Sequence, residues 1–353
     1  MKFFSLICFF IVNLSLSAKP KNLNLVGEVK ASSSNPTILP VKQSYIVMFK
    51  KGTNTNNNPL DIPNAEYFNI GELSGAIIES DMPKSKIKKI KNVESVEYDN
   101  DVFTEPVTLP IIEKSTNQNQ IQWGLLRINN KDIPDYKKNN YDPPYKGKGI
   151  DIYVLDTGVM KTHVQFKNNR ILQGYNSISK DTKTNDKNGH GTHVSSTVIG
   201  TTMGVSNQAN VVPVKVLNDN GSGSWSGVIK GIEWSINNIK KTKRCSIISM
   251  SLGGGKNNAM NKAVEQAFKK KIPVIAAAGN NNGNSCNISP GSAKDAITVG
   301  SMTKSDFRSS FSNYGKCTNI FGPGSSILGA GISSNTALVT LSGTSMATPH
   351  VAG

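Results

Sequence analysis

Three side chains in short, glycine-containing motifs could together perform nucleophilic catalysis. Ser345 lies among small residues just before a helical pattern, so we expect its hydroxyl to be exposed at a helix N-terminus. His190 stands between two glycines ahead of the helical run 194–199, where we expect an exposed imidazole. Asp156 follows the apolar run 149–155, which is typical of a buried parallel strand, and the carboxyl ends of such strands carry the sites of open α/β sheets. A serine, a histidine and a carboxylate can serve acyl transfer as nucleophile, general base and orienting acid.

Each of these residues also has an ordinary structural explanation. Ser345 could be a helix N-cap, His190 a loop histidine and Asp156 a turn former. A lone example of any of them would favour that explanation. All three together, each at the edge of an α/β unit, favour a catalytic site.

The three motifs resemble a known family. DTGV (156–159), NGHGTHV (188–194) and GTSMATPHVAG (343–353) are similar to the motifs of the subtilisin family of serine peptidases, in that family's order Asp, His, Ser. The resemblance covers about residues 122–353 and is strongest to the proteinase K branch. It implies a three-layer α/β fold with a mainly parallel sheet, and a triad of Asp156, His190 and Ser345. It also implies that Asn280 is the side-chain donor of an oxyanion hole.

The same resemblance implies the walls of a substrate site. A glycine-containing segment at 219–225 is similar to the family's edge segment that pairs with the substrate backbone, and 251–254 to the opposite wall. Trp225 is expected to form an apolar rim for a side chain several residues before the scissile bond. Without the triad, both segments would be read as glycine-rich turns. The implied substrate-binding residues are Gly221, Ser222, Gly223, Trp225, Ser251, Leu252, Gly253, Ala277 and Gly279.

Apolar runs and helical patterns alternate from Gly149 onward, which predicts a parallel sheet covered on both faces. Strands are predicted at 150–155, 211–217, 246–251, 273–278 and 296–299. Helices are predicted at 193–199, 226–239 and 258–270. In the second helix, Val228, Ile232, Ile236 and Ile239 recur at helical spacing and should face the sheet.

The N-terminal third is predicted to contain targeting and regulatory segments. Residues 1–18 read as a secretory signal peptide, and 19–41 as a leader without fixed structure. Strand patterns at 44–49, 75–79 and 93–99 with a helical pattern at 83–92 predict a small α+β module at 42–105, which resembles the family's propeptide or inhibitor module. The alternative is a domain retained in the final protein. Residues 106–120 read as a junction, with processing expected between 113 and 120, ahead of the peptidase domain at 121–353.

Composition restricts the classes of partner. The chain has 353 residues with 37% hydrophobic and 18% charged residues, which indicates a globular protein, and no stretch besides the signal approaches membrane-spanning length. The net charge is +16, with 27 Lys and Arg against 12 Asp and Glu after residue 115. These lysines lack interleaved aromatic residues, so we interpret them as a solvated basic surface and expect no nucleic-acid partner. We expect a monomer.

A secretory signal predicts an oxidising compartment for Cys245, Cys286 and Cys317. The sequence alone leaves three pairings open. The resemblance implies a bridge between Cys286 and Cys317, leaving Cys245 as a thiol or paired with a cysteine farther along the chain. Where the proteinase K branch has an aspartate that helps to hold a structural calcium, this chain has Asn319, so we expect a weakened or absent site. Of the glycosylation sequons at Asn220 and Asn287, the first would place a glycan over the substrate edge, and we do not expect it to be used.

These observations predict a secreted serine endopeptidase made as a self-processing precursor, with protein and peptide substrates, its own propeptide as inhibitor and no cofactor for catalysis. A catalytically inactive binding protein of the same fold would normally lack one of Asp156, His190, Ser345 or Asn280, and all four are present. An α/β-hydrolase esterase would place its serine first in the chain, in a G-x-S-x-G elbow, whereas here the serine comes last. Because residue 353 falls inside the helix that Ser345 begins, we expect the reading frame to continue.

Overall fold

A four-stranded antiparallel sheet forms the N-terminal part of the computed structural model, which describes residues 42–104, 121–137, 141–168 and 170–353. Its strand order is β2-β3-β1-β4. The signal peptide, leader and processing junction predicted from the sequence lie outside the described residues. The elements of this part, which we call the N-terminal module (residues 42–104), are β1 (Gln43–Phe49), β2 (Glu66–Ile70), β3 (Leu73–Ser80), α1 (Lys84–Ile87), β4 (Val93–Tyr98) and β5 (Asp101–Phe103), with a 3₁₀ turn at Thr55–Asn57.

The N-terminal module buries both faces of its sheet, which explains its apolar strands. Along β1, Tyr45 and Val47 pack into the module's own core, while Ile46 and Met48 pack into the large core that it shares with the rest of the chain. The three predicted strands are present, but β2 and β5 were not predicted. The helix predicted at 83–92 is wrong in length, because only Lys84–Ile87 is helical and only Ile87 of that helix is buried to hold it.

The C-terminal portion (residues 121–353) alternates strands with helices, as predicted. Its helices are α2 (Trp123–Ile128), α3 (His190–Ile199), α4 (Trp225–Thr242), α5 (Asn258–Lys269) and α6 (Thr344–Ala352). Its strands are β6 (Asp151–Asp156), β7 (Tyr175–Asn176), β8 (Asn210–Lys215), β9 (Ser222–Ser224), β10 (Ser246–Met250), β11 (Gly254–Gly255), β12 (Val274–Ala277), β13 (Ile288–Ser289), β14 (Ala296–Met302), β15 (Ile320–Pro323), β16 (Ile327–Ala330) and β17 (Leu338–Leu341), with a 3₁₀ turn at Ser285–Asn287.

A seven-stranded parallel sheet, ordered β15-β14-β12-β10-β6-β8-β7, lies between two layers of helices. Strand β6 shows why both faces are covered. Tyr153 and Leu155 point into the core with α4 and α5, while Ile152 and Val154 point into the core with α3 and α6. Since successive side chains of a strand face opposite ways, a strand apolar at every position must be covered twice.

Two helices begin where the chemistry-bearing residues lie. Helix α3 begins at His190, three residues before its predicted start, so this histidine is part of the first turn. Helix α6 begins at Thr344, which places Ser345 at its second residue, as predicted. Pro349 lies in the second turn of this helix. The predicted inward face of α4 is confirmed, since Val228, Ile232 and Ile236 are buried against the sheet.

Cys286 and Cys317 form a disulfide with Cα atoms 5.3 Å apart, which is the pairing that the resemblance implied. Cys245 is a free, exposed thiol. None of the helices in the described part of the chain is both long enough and apolar enough to span a bilayer.

Candidate active site

Asp156 and His190 are joined by a hydrogen bond across the end of the sheet. His190 Nδ1 lies 2.8 Å from Asp156 Oδ1 and 3.0 Å from Oδ2. Asp156 is the last residue of β6, and its Oδ1 also accepts a hydrogen bond from the Thr157 amide at 2.7 Å. The carboxylate therefore fixes the imidazole with its Nδ1–H towards Asp156 and its Nε2 facing away.

The predicted exposure of the histidine and the serine is wrong. His190 is 3% exposed and Ser345 is 1% exposed, because helices α3 and α6 pack against each other and against the sheet. His190 Nε2 is buried and has no hydrogen-bond partner among the described residues. This nitrogen is the one that a general base would use.

Ser345 exchanges two hydrogen bonds with Ser251 at the end of β10. The Ser345 hydroxyl donates to the Ser251 carbonyl at 3.0 Å, and the Ser251 hydroxyl donates to the Ser345 carbonyl at 2.8 Å. The second bond depends on Pro349, which has no N–H and so leaves the Ser345 carbonyl without its usual helical donor. In this arrangement Ser345 Oγ and His190 Nε2 are not hydrogen-bonded to each other.

Asn280 lies directly beside the start of α6. Its Oδ1 accepts hydrogen bonds from the Thr344 amide at 2.8 Å and the Thr344 hydroxyl at 2.9 Å. Because two donors fix the oxygen, the NH₂ group of the same amide lies on the opposite edge. Gly279 also contacts this helix start, since its amide donates to Thr344 Oγ1 at 3.2 Å.

The predicted substrate groove is filled by a strand of the same chain. Strand β5 pairs antiparallel with β9, with Val102 opposite Gly223. On the same side, the Thr104 amide donates to the carbonyl of Gly221, just before β9, at 2.8 Å. On the other side of β5, Phe103 exchanges hydrogen bonds with Gly253 (3.1 and 3.2 Å). The two implied walls therefore bind an extended backbone between them.

The remaining implied substrate residues have mixed placements. Leu252 is buried in the large core beside Val102, and Ala277 is buried at the end of β12. Trp225, expected to form an apolar rim for a substrate side chain, is 0% exposed and lies in the same core cluster as Val102 of β5, and its substrate role stays a prediction. The substrate roles of Ala277 and Gly279 stay predictions.

Sequence reasoning missed the role of Ser251 as a partner of Ser345, and that of Thr344 as a partner of Asn280. Both contacts join segments that are distant in the chain, so no local pattern could indicate them. It also missed β5, whose three residues are too short for a strand pattern. The turn-forming Asp99 and Asn100 before it were the only local signal.

The calcium expectation stays a prediction. Asn319 Oδ1 accepts a hydrogen bond from the Thr298 amide at 2.8 Å. Among the residues that the structure describes, no group of three or more His, Cys, Asp or Glu side chains is arranged to hold a metal ion.

Two further histidines are buried within helices α3 and α6. Burial lowers the pKa of His193 in α3 from 6.5 to about 4, although its ring N–H donates to the Ile327 carbonyl at 3.0 Å. Burial likewise lowers the pKa of His350 in α6 to about 4, with a ring N–H donating to the Met346 carbonyl at 2.9 Å. Both histidines are therefore neutral in the folded protein near neutral pH.

These histidines should destabilise the fold in acid. Between pH 6.5 and about 4 the unfolded chain binds protons that the folded chain does not, so the free energy of unfolding should decrease as the pH falls through this window, by about 3 kcal/mol per histidine. Urea unfolding of the Ser345→Ala protein at several pH values would measure this decrease. A His350→Gln variant should show a shallower slope, and an unchanged slope would contradict the assignment.

The fold and the site define a class of protein: an α/β protein with an acid, a histidine and a serine at the carboxyl end of a parallel sheet. Residues 147–353 match the model of the subtilase family of peptidases. The chain therefore belongs to the subtilase family, and the predicted fold is confirmed.

Individual relatives agree with this assignment. The chain is 45% identical to alkaline serine exoprotease A of Vibrio alginolyticus over 69% of its own length and 44% of the relative. It is 42% identical to the extracellular serine proteinase of a Thermus species over 80% of its length and 65% of the relative. The chain thus spans about half to two thirds of these proteins. A crystal structure of a cold adapted subtilisin-like serine proteinase superposes with a TM-score of 0.62 at 44% identity, covering 66% of this chain and 83% of that one.

Proposed function

We propose that this chain is the precursor of a secreted endopeptidase whose triad is Asp156, His190 and Ser345. The observation that carries the proposal is the 2.8 Å hydrogen bond between His190 Nδ1 and Asp156, which leaves the buried Nε2 facing away from the carboxylate. Ser345 Oγ attacks the scissile carbonyl while His190 Nε2 takes its proton. Asp156 stabilises the imidazolium that forms.

The charge that develops on the carbonyl oxygen needs hydrogen-bond donors. The Asn280 NH₂ group and the Ser345 backbone N–H hold this oxyanion, and His190 then returns the proton to the leaving amine. Water hydrolyses the acyl-enzyme in the second half of the cycle. We expect no cofactor in this chemistry.

The substrates are proteins and peptides bound in extended form. This is supported by the groove between β9 and Gly253, which hydrogen-bonds to the main chain of β5 on both sides. Main-chain pairing provides affinity without requiring particular side chains. Incubating the purified, processed enzyme with a peptide library would test the endopeptidase activity, and cleavage of esters but not of peptides would refute it.

The N-terminal module (residues 42–104) is a prosegment that acts as an intramolecular inhibitor until it is released. Support comes from β5 in the groove and from Asp99, whose carboxylate accepts hydrogen bonds from the Ser226 amide (2.8 Å) and hydroxyl (2.6 Å) at the start of α4. Glu94 pairs with Lys262 at 2.6 Å, and Glu72 with Lys269 at 3.2 Å. The acidic prosegment edge thus meets the basic surface predicted from composition.

Maturation proceeds by self-cleavage between residues 113 and 120, after a signal peptide at 1–18 directs export. The name of the Thermus relative, an extracellular proteinase, supports an extracellular location. The mature enzyme acts as a monomer. No observation in the described residues favours the alternative of an inactive binding protein.

A charge on the buried face of β5 should shorten the interval between cleavage of the precursor and the appearance of peptidase activity. Val102 is 0% exposed whereas Phe103, the next residue and on the opposite face, is 46% exposed. Burying a carboxylate without a partner is costly, so Val102→Asp should weaken prosegment binding, while Phe103→Asp adds the same charge in solvent. We expect the interval between cleavage, followed by gel electrophoresis, and activity, followed with a peptide substrate, to shorten at least about tenfold for Val102→Asp only. Equal intervals in the two variants would argue against inhibition by β5.

A further inference from the structure

Asp186 is a buried carboxylate that no step of the proposed mechanism uses. It is 7% exposed and lies in the loop before α3. Its Oδ1 accepts hydrogen bonds from the Asn188 amide, the Gly189 amide and the Thr157 hydroxyl, each at 2.9 Å. Its Oδ2 accepts from the Thr192 amide at 2.9 Å and the Thr192 hydroxyl at 2.6 Å. Each carboxylate oxygen of Asp186 thus accepts at least two hydrogen bonds.

These donors belong to two segments that carry different members of the triad. Thr157 directly follows Asp156, while Thr192 lies in the same first turn of α3 as His190. Thr157 adds a second link, because its hydroxyl oxygen accepts a hydrogen bond from the Gly191 amide at 2.9 Å. Asp186 therefore connects the start of α3, which carries His190, to the loop that follows Asp156. It does so directly, by accepting hydrogen bonds from both Thr157 and Thr192, and indirectly, through the bond between Thr157 and Gly191.

The packing leaves little freedom for the helix to move independently. A Cβ atom on Gly191 would lie 2.2 Å from the Gly158 carbonyl oxygen and 3.1 Å from Asp156 Oδ1. The backbone of α3 thus touches the loop after β6 at Gly191. A shift of this helix would change the distance from His190 Nδ1 to Asp156.

We propose that Asp186 is a positioning residue, which keeps the imidazole of His190 at hydrogen-bond distance from Asp156. This inference rests on the proposed function, because it assigns a role within the same triad. A helix cap that only stabilises the fold would accept the amides of Asn188, Gly189 and Thr192. The hydrogen bond from Thr157 goes beyond capping, since it ties the cap to the segment of the acid.

The test compares two buried aspartates that are each changed to the isosteric asparagine. In Asp186→Asn one oxygen becomes an NH₂ group, which places a donor against the donors that the carboxylate now binds. The matched control is Asp151→Asn, at the opposite end of β6, where the 1% exposed carboxylate accepts hydrogen bonds from Asn210 at 2.8 Å and Arg244 at 2.7 Å. Both changes should lower thermal stability.

Only Asp186→Asn should change catalysis. We expect kcat to fall about 10- to 100-fold with KM within about twofold, because a displacement of a catalytic group by about 1 Å can cost 100-fold. In the proton NMR spectrum of a Ser345→Ala background, the His190 Nδ1 proton should shift or broaden for Asp186→Asn and not for Asp151→Asn. This resonance reports on the histidine whether or not Ser345 is the nucleophile, so failure of the proposed function would not hide the result.

A second pair of variants addresses the link itself and does not require Asp186→Asn to fold. Thr157→Val removes the hydroxyl that joins Asp186 to Gly191, and Thr157→Ser retains it. We expect Thr157→Val to lower kcat about tenfold, Thr157→Ser to restore it, and the double variant with Asp186→Asn to lose less than the product of the single losses. If Asp186→Asn or Thr157→Val loses stability but keeps kcat and the Nδ1 resonance, Asp186 is a structural cap only and the proposal is wrong.

Discussion

A Ser345→Ala precursor is expected to show no measurable peptidase activity and to remain uncut between residues 113 and 120. The change removes the hydroxyl that we assign as the nucleophile and keeps the 1% exposed backbone position in α6. In subtilisin, which belongs to the same family, loss of the nucleophile is known to lower kcat about 10⁶-fold. The same hydroxyl should be required for processing, since the precursor is proposed to cut itself.

Ser342→Ala provides a matched control three residues earlier. That serine is 8% exposed and accepts a hydrogen bond from the Ser326 amide at 2.8 Å, but it has no assigned part in the reaction. We expect this variant to lose some stability and to keep kcat within about tenfold, as expected for a change outside the reacting groups. Mass spectrometry of the two purified precursors would measure processing, and self-cleavage of the Ser345→Ala precursor would exclude Ser345 as the nucleophile.

Asn280→Leu should lower kcat about 100- to 1,000-fold with KM nearly unchanged, the range known for loss of the oxyanion amide in subtilisin. Leucine has a similar size but provides no donor to the tetrahedral oxyanion. It also removes the oxygen that accepts the amide and hydroxyl of Thr344, so part of any loss could come from a displaced start of α6.

Asn280→Asp separates the two effects. It keeps an oxygen for Thr344 and removes the NH₂ donor, while its negative charge repels the oxyanion. We therefore expect steady-state kinetics to show at least as large a loss of kcat for Asn280→Asp as for Asn280→Leu. A nearly normal kcat in Asn280→Asp would place the effect in the Thr344 contact and remove Asn280 from the oxyanion site.

The sequence predicted the parallel sheet and the positions of the three chemistry-bearing residues because each depends on local signals. The apolar run before Asp156 and the helical spacing in α4 report burial directly. The glycines around His190 and the small residues around Ser345 mark where backbones approach closely. These patterns are independent of which distant segments contact them.

Exposure could not be predicted in the same way. Trp225 and the residues of β9 are covered by β5, which pairs Asp101 with Ser224, more than a hundred residues away. Ser345 is buried by α3 and its hydroxyl is held by Ser251, again a distant segment. The covering of a site by another part of the chain depends on tertiary pairing, which leaves no periodicity in the sequence.

The paired hydrogen bonds between Ser345 and Ser251 have a consequence for the timing of the reaction. When Ser345 Oγ leaves the Ser251 carbonyl, the bond from the Ser251 hydroxyl to the Ser345 carbonyl can remain, so the main chain stays anchored while one side chain pivots. Rotamer changes of exposed side chains take about picoseconds to nanoseconds, and even a roughly thousandfold slowing by burial leaves this pivot much faster than a catalytic cycle of about 10 per second. The rotation of the Ser345 hydroxyl away from Ser251 is therefore a fast pre-equilibrium, and it should not limit the turnover rate.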